Sequence, residues 1–139
     1  MTAPRPIPPL AVEPAEYVPG VCNIGPWETR RRLAFGIAGL AAAAVLLAAL
    51  VAAHAPVAAR LLVLLPAWGG TFSVLQARRR FCGAYALRRI SNFGDTYDAI
   101  RQVEDEAAHR ADVAAVLRMT RDSFAAGALV AVLALLLPL

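Results

Sequence analysis

Residues 33–53 read LAFGIAGLAAAAVLLAALVAA, 21 residues without a charge, and this run decides the fold. At the helical rise of about 1.5 Å per residue it covers about 30 Å, the thickness of a bilayer's hydrocarbon core. A chain of 139 residues cannot hide such a helix inside a water-soluble core, and 59% of its residues are hydrophobic, against about 45–50% in soluble domains. The excess is gathered into three blocks. The sequence therefore reads as an all-α integral membrane protein, a helical hairpin of two spans plus a long cytoplasmic amphipathic helix continuing into a third span.

The first span is rich in small residues. Ala34, Ala38 and Ala42 share one i, i+4 row, and Gly36, Ala44, Ala48 and Ala52 nearly fill another. Small rows let helices approach closely, and in lipid close packing is a main source of association. Gly36 and Gly39 are candidate packing positions. His54, Ala55 and Pro56 leave only a short turn, so the next block, 57–76, must return antiparallel. Arg60 lies one turn into it and is expected to snorkel back to the headgroups. Pro66 is expected to kink this helix, having no N–H for the carbonyl four residues back. Gly69, Gly70 and Ser73 follow. Gly69 and Ser73 form a small-xxx-small step, a candidate for packing against a neighbouring span.

The last apolar run, 124–139, is 16 residues, about 24 Å of helix and short for a span. Ser123 and snorkelling of Arg121 extend it. Asp95 reads as the N-cap of a helix in which neither Gly nor Pro interrupts Thr96 to Ala126. Ile100, Val103, Ala107, Ala111 and Ala114 recur at helical spacing there. Arg101 and Asp105, and Glu106 and Arg110, are its i, i+4 ion pairs. Four regions result: 1–26, a proline-rich extended cytoplasmic arm; 27–90, a transmembrane hairpin with interfacial basic edges; 91–122, the cytoplasmic amphipathic helix; and 123–139, the C-terminal transmembrane helix. The arm holds Pro4, Pro6, Pro8, Pro9, Pro14, Pro19 and Pro26. It lacks an apolar core, so it is not expected to be a cleaved signal peptide.

The formal net charge is +4 and every basic side chain apart from the histidines is arginine. Arg30, Arg31 and Arg32 precede the first span, with Trp27 at headgroup level. Arg78, Arg79, Arg80, Arg88 and Arg89 follow the second, and the turn between is uncharged until Arg60. The positive-inside rule puts the N-terminus and residues 77–122 in the cytoplasm and the C-terminus outside, with the bacterial inner membrane as the location. Anionic lipid is the expected partner of these arginines, and nothing in their distribution points to nucleic acid.

Chemistry-bearing patterns are sparse. The sequence contains no Gly-rich phosphate loop, no HExxH and no defensible Ser-His-Asp spacing. No ionisable residue lies in the middle of an apolar run, which argues against a transporter acting alone. No catalytic residue or metal site is assigned, and the chain reads as a non-enzyme. His54, at a helix end, is the candidate cofactor ligand, for haem or chlorophyll, although a single His in the spans excludes a bis-His haem. No other cofactor is expected. Cys22 and Cys82 both fall near the cytoplasmic face as a possible thiol pair, or as metal ligands with His109. A reducing compartment weighs against a disulfide.

The segment Cys22-Asn23-Ile24-Gly25-Pro26-Trp27-Glu28, with the Arg cluster behind it, resembles a CNIGP-type motif in a family of small uncharacterised bacterial inner-membrane proteins. Leu65-Pro66, Gly69-Gly70, Gln76-Ala77 and Cys82 fit the same pattern, over roughly residues 22–90. The resemblance implies a membrane hairpin with a cytoplasmic Cys-containing edge and nothing further. The expectation overall is a non-catalytic accessory or scaffold subunit of a larger membrane complex, of respiratory or photosynthetic type. Its partners would be other membrane subunits or further copies of itself. The alternatives are a holin-like pore former and a cofactor-binding redox subunit.

Overall fold

The computed structural model describes residues 16–138 and is mostly helical. Helix α1 spans Pro26–Ala52. Pro26 stands at its start, where a missing N–H costs nothing and φ is already helical. The helix ends on His54 in the left-handed region, φ 51°. The Ala55 amide then reaches the Leu50 carbonyl at 3.0 Å, and the His54 amide reaches Val51 at 3.0 Å. These paired bonds satisfy carbonyls that a helix end otherwise leaves open.

A 3₁₀ segment, Val57–Val63, runs directly into helix α2, Leu64–Arg79. Pro66 has no N–H for the Leu62 carbonyl, and the expected kink takes the form of tightened 3₁₀ turns ahead of it. Helix α2 also stops on a left-handed residue, Arg80 at φ 49°, with the Phe81 amide on the Gln76 carbonyl at 2.9 Å.

Residues 91–122 differ from their reading as one helix. A short helix α3, Gly83–Leu87, leads to strand β1, Ile90–Asn92, which pairs antiparallel with β2, Ile100–Gln102. The register sets Ser91 opposite Arg101. Asn92 organises the connection: its Nδ2 donates to the Thr96 carbonyl at 3.1 Å, and its Oδ1 accepts the Gly94 amide at 3.1 Å. The backbone of 100–102 therefore bonds across to β1 rather than along a helix. Helix α4, Glu106–Leu136, starts ten residues after Asp95, at Asp105, whose carboxylate accepts from the Ala107 and Ala108 amides at 3.3 and 3.1 Å. Asp105 is thus the true N-cap, and Glu106 pairs with Arg89 at 2.8 Å rather than with Arg110. No break separates 122 from 123. The helix is continuous for 31 residues, about 46 Å.

Helix α2 is the central element, packed on α1 along one side and on α4 along the other. Gly36 lies against Val74 and Gly70, and Gly39 against Gly70 and Pro66, so α1 and α2 run antiparallel with their main chains touching. On the other side a Cβ on Gly127 would come within 2.9 Å of the Trp68 Cα. Trp68 Nε1 donates to Ser123 Oγ at 3.2 Å, and its ring stands edge-on to Phe124 at 5.4 Å.

Arg60 corrects a second expectation. It does not snorkel outward but is buried, 4% exposed. Its Nη1 donates to the carbonyls of Ala134 at 3.1 Å and Leu137 at 3.0 Å. A cation at a helix C-terminus meets both the open carbonyls and the negative end of the helix dipole. The Arg60 guanidinium thus covers two carbonyls at the end of helix α4. Three segments, Pro26–Ala52, Val57–Arg79 and Glu106–Leu136, are long and apolar enough to cross a membrane.

Candidate functional site

The densest polar construction lies at the arginine-rich end, where Cys22–Glu28 meets the turn after α2. The Asn23 and Ile24 amides both donate to the Arg80 carbonyl, at 3.1 and 3.3 Å. The left-handed turn at Arg80 is what aims that carbonyl at them. The Asn23 side chain closes a two-bond ring on Cys82, with Oδ1 accepting the Cys82 amide at 2.6 Å and Nδ2 donating to its carbonyl at 2.9 Å. The Asn23 carbonyl accepts the Asn92 amide at 3.0 Å, and the Gly25 amide donates to the Asn92 carbonyl at 2.8 Å. A Cβ on Gly25 would fall 2.9 Å from the Phe93 Cα and carbonyl oxygen, so only glycine fits. Gln76 Oε1 takes the Gly83 amide at 3.0 Å. This short segment thus stitches α1, α2, α3 and β1 together.

The carboxylate of Glu28 sits beneath it, with no exposure to solvent. It accepts from Tyr85 Oη at 3.0 Å and Arg31 Nη1 at 3.1 Å, and faces Arg32 Nη2 at 3.4 Å. Burial, then the bond to Glu28, holds the Tyr85 phenol above its ordinary pKa. Arg32 Nη2 also donates to Cys82 Sγ at 3.1 Å. The Arg32 carbonyl accepts from Ser73 Oγ at 2.8 Å, which ties α1 to α2. Arg31 lies over the rings of Trp27 and Tyr97, at 4.9 and 5.4 Å from their centroids, and donates to the Tyr97 hydroxyl. Of the six arginines assigned to the membrane interface, Arg31, Arg32 and Arg79 are therefore engaged with protein groups. Arg30, Arg78 and Arg80 have exposed side chains, and Arg79 pairs with Asp122 at 3.2 Å.

The described part of the proline arm, 16–25, is built into the molecule; Pro4, Pro6, Pro8, Pro9 and Pro14 lie outside the described residues. Asp112 of α4, 1% exposed, accepts from Tyr17 Oη at 2.9 Å and from the Gly20 amide at 2.7 Å. Burial and the bond to Asp112 push the Tyr17 phenol well above its ordinary pKa.

Cys22 and Cys82 are both free and buried, with different partners. Cys22 Sγ donates to the Ile24 carbonyl at 3.8 Å, and burial pushes its thiol pKa up. They do not form a disulfide. His54 is exposed, and its backbone serves as the stop of α1. Among the described residues no three His, Cys, Asp or Glu side chains gather around a common point, so His109 does not join the two thiols. Of the packing residues, Gly36, Gly39 and Gly70 meet at the α1–α2 crossing. Gly69 does not take part: a Cβ there meets nothing within 4 Å. It falls one residue, or about 100°, off the crossing face.

The sequence reading missed Asn23, Glu28, Tyr85, Asn92, Asp112 and Gly127. The signal for the first two was present: an Asn and a Glu flank Gly-Pro at a helix start, inside a segment otherwise apolar. Tyr85 and Asn92 carry no local pattern, because their partners lie 57 and 69 residues away, at Glu28 and Asn23. Arg31 and Arg32 face the buried Glu28 carboxylate, and the Cys82 thiol is closed off from solvent. Structurally the segment is a hydrogen-bonded joint between α1, α2, α3 and β1. The chain matches no known family model, and no curated protein or solved structure is similar to it.

Proposed function

We propose that this protein is a three-span, non-catalytic accessory subunit of a larger bacterial inner-membrane complex, with the joint and the β-hairpin in the cytoplasm. One observation carries the reading. Only 11% of the most apolar window of α1 is buried. Gly36, Gly39 and Ala43 hold one face of α1 to its neighbours, while Ala34, Ala38, Ala41 and Ala48 stand uncovered beside Phe35, Ile37 and Val45. A long apolar stretch of helix with small residues on its open side is suited to close approach by a helix of another subunit. The joint supports the same reading, since it fixes α1 rigidly against α2 before any partner arrives. The arginines exposed at one end support the cytoplasmic assignment of that end.

Photo-crosslinking from position Ala41 in native membranes, followed by native gels of the gently solubilised material, tests this. A crosslink to a different membrane protein within a larger assembly is the expected result. Migration only as a free small protein, without crosslinks, refutes it, and collapse of the membrane potential on expression favours the pore former instead.

A further inference from the structure

A cleft of about 530 Å³ lies between the described end of the arm and the β-hairpin, lined by Glu16, Tyr17, Ser91, Phe93, Ala99 and Arg101. Both walls are held from behind. The Tyr17 hydroxyl and the Gly20 amide are tied to Asp112, and the Asn92 backbone is tied to Asn23 and Gly25. The register that sets Ser91 opposite Arg101 puts both side chains on one face of the hairpin. Phe93, two residues on, lines the same side. Ser91 is 4% exposed, yet among the described residues its hydroxyl has no hydrogen-bond partner. Buried hydroxyls are otherwise nearly always bonded. The two charges of the cleft are unmatched as well. Among the described residues neither Glu16 nor Arg101 takes part in an ion pair, with each other or with any other side chain. Glu104 and Asp105 stand on the other side of Arg101 without pairing to it. The Asp105 carboxylate is occupied by the Ala107 and Ala108 amides.

We propose that this cleft is a binding site for a small zwitterion with an apolar body, the chemistry of a free amino acid with a hydrocarbon side chain. Arg101 and Ser91 hold the carboxylate, Glu16 faces the ammonium, and the hydrocarbon lies on Phe93. This goes beyond the accessory-subunit reading and does not depend on it, because the hairpin lies outside the three long apolar helices. Opposite charges that line one cleft without meeting leave both to a ligand carrying both signs. A guanidinium and a neighbouring hydroxyl supply donors to both oxygens of a carboxylate. An inorganic anion would leave Glu16 unmatched, and a simple amine would leave Arg101 unmatched. The volume falls in the range of small-molecule sites, about 300–1,000 Å³. Walls fixed by their own hydrogen bonds before the ligand arrives also lower the ordering cost of binding.

The test is a titration of the full, isotopically labelled chain in detergent micelles near neutral pH, followed through its backbone amide resonances. The probes are L-phenylalanine, phenethylamine, which lacks the carboxylate, and phenylacetate, which lacks the ammonium. L-phenylalanine is expected to shift the Ser91, Phe93 and Arg101 amides with a dissociation constant on the order of 1 mM. Each single-charge probe is expected to bind about fivefold more weakly. Arg101→Gln removes the preference over phenethylamine, and Glu16→Gln removes the preference over phenylacetate. Both side chains are exposed, so neither change disturbs the fold. Ser91→Ala weakens L-phenylalanine and phenylacetate but leaves phenethylamine unchanged. The crosslink from Ala41 reads a different surface, so this proposal and the accessory-subunit reading fail separately. Equal binding of the three probes by the wild type overturns the proposal. So does the absence of shifts at these three amides, or discrimination that survives in both charge variants, which would place the ligand elsewhere.

Discussion

Gly69→Ala and Gly70→Ala are the same chemical change at adjacent positions, and the packing sends them in opposite directions. A methyl on Gly70 would lie 2.7 Å from the Leu40 nitrogen, 3.0 Å from the Gly36 oxygen and 3.0 Å from the Gly39 carbonyl carbon. Comfortable carbon contacts lie at about 3.5–4.0 Å, so α1 must retreat by about an ångström. All three obstacles are main chain, and no rotamer change relieves them. Retreat also loosens Gly36 and Gly39 from α2. Overpacking of this kind costs about 1–3 kcal/mol. At Gly69 the methyl enters open space, and Ala gains about 0.5–1 kcal/mol over Gly within a helix. The two variants should differ by about 1.5–4 kcal/mol, roughly ten- to seven-hundred-fold in unfolding constant at about 1.4 kcal/mol per decade. Reversible unfolding in mixed micelles, followed by circular dichroism, measures both. Equal midpoints for the two variants, or Gly70→Ala as the more stable, would refute the crossing described here.

Asn23→Leu leaves the buried Cys82 amide without a partner, at about 1–3 kcal/mol, while the Cys82 carbonyl keeps the Ala86 amide at 3.0 Å. Asn23→Asp should also destabilise, because a carboxylate cannot donate to the Cys82 carbonyl; chemical unfolding ranks the two against wild type. Arg60→Met uncovers the Ala134 and Leu137 carbonyls and should fray the last turns of α4, read as faster amide exchange over residues 132–138 while exchange at Asn23 and Cys82 stays unchanged. His54→Gly removes a left-handed β-carbon from the stop of α1, a strain of about 1 kcal/mol or more. It should raise the unfolding midpoint, and a drop would mean that the imidazole has a partner. The phenols of Tyr17 and Tyr85 are raised in the folded state, so folding favours their protonated forms. The stability they contribute is full below pH about 10, where the unfolded chain still holds both protons, and is lost as pH rises beyond it. Midpoints should fall on that alkaline limb, and Tyr17→Phe should flatten it.

The first long apolar helix was legible because an uncharged run of 21 residues is itself the signal. The crossing was half legible. Gly36, Gly39 and Gly70 stood out as small, but the phase of α2 depends on where its 3₁₀ turns end, and small-xxx-small spacing does not report that. Gly69 was chosen through its step to Ser73, yet the rotation left Gly70 inside. The β-hairpin was not legible, because Ile100 and Val103 sit three apart, as on a helix. What makes 100–102 a strand is Asn92, whose side chain shapes the connection and whose backbone is already engaged by Asn23 and Gly25. Arg60 was misjudged because hydropathy records its charge but not the open carbonyls of α4, which lie 74 to 77 residues away.

Three separate contacts fix α1 against α2, and together they constrain more than any one does. At the arginine-rich end, Asn23 and Ile24 on the Arg80 carbonyl, together with Ser73 on the Arg32 carbonyl, set the axial register. At mid-length, Gly70 in the notch formed by Gly36 and Gly39 sets the separation. At the far end, the left-handed His54 and a turn of a few residues set the return. A helix held at both ends and at its centre cannot rotate to hide its open face, so Ala34, Ala38, Ala41 and Ala48 stay directed away from the protein. Helix α4 is held differently, by the Trp68–Ser123 bond, the Gly127 crossing and the Arg60 cap, and an apolar groove at Gly69 opens on that side. Cutting the clamp by Asn23→Leu should therefore weaken a crosslink from Ala41 in native membranes. An undiminished crosslink in that variant would show that α1 keeps its orientation without the clamp and would refute this account.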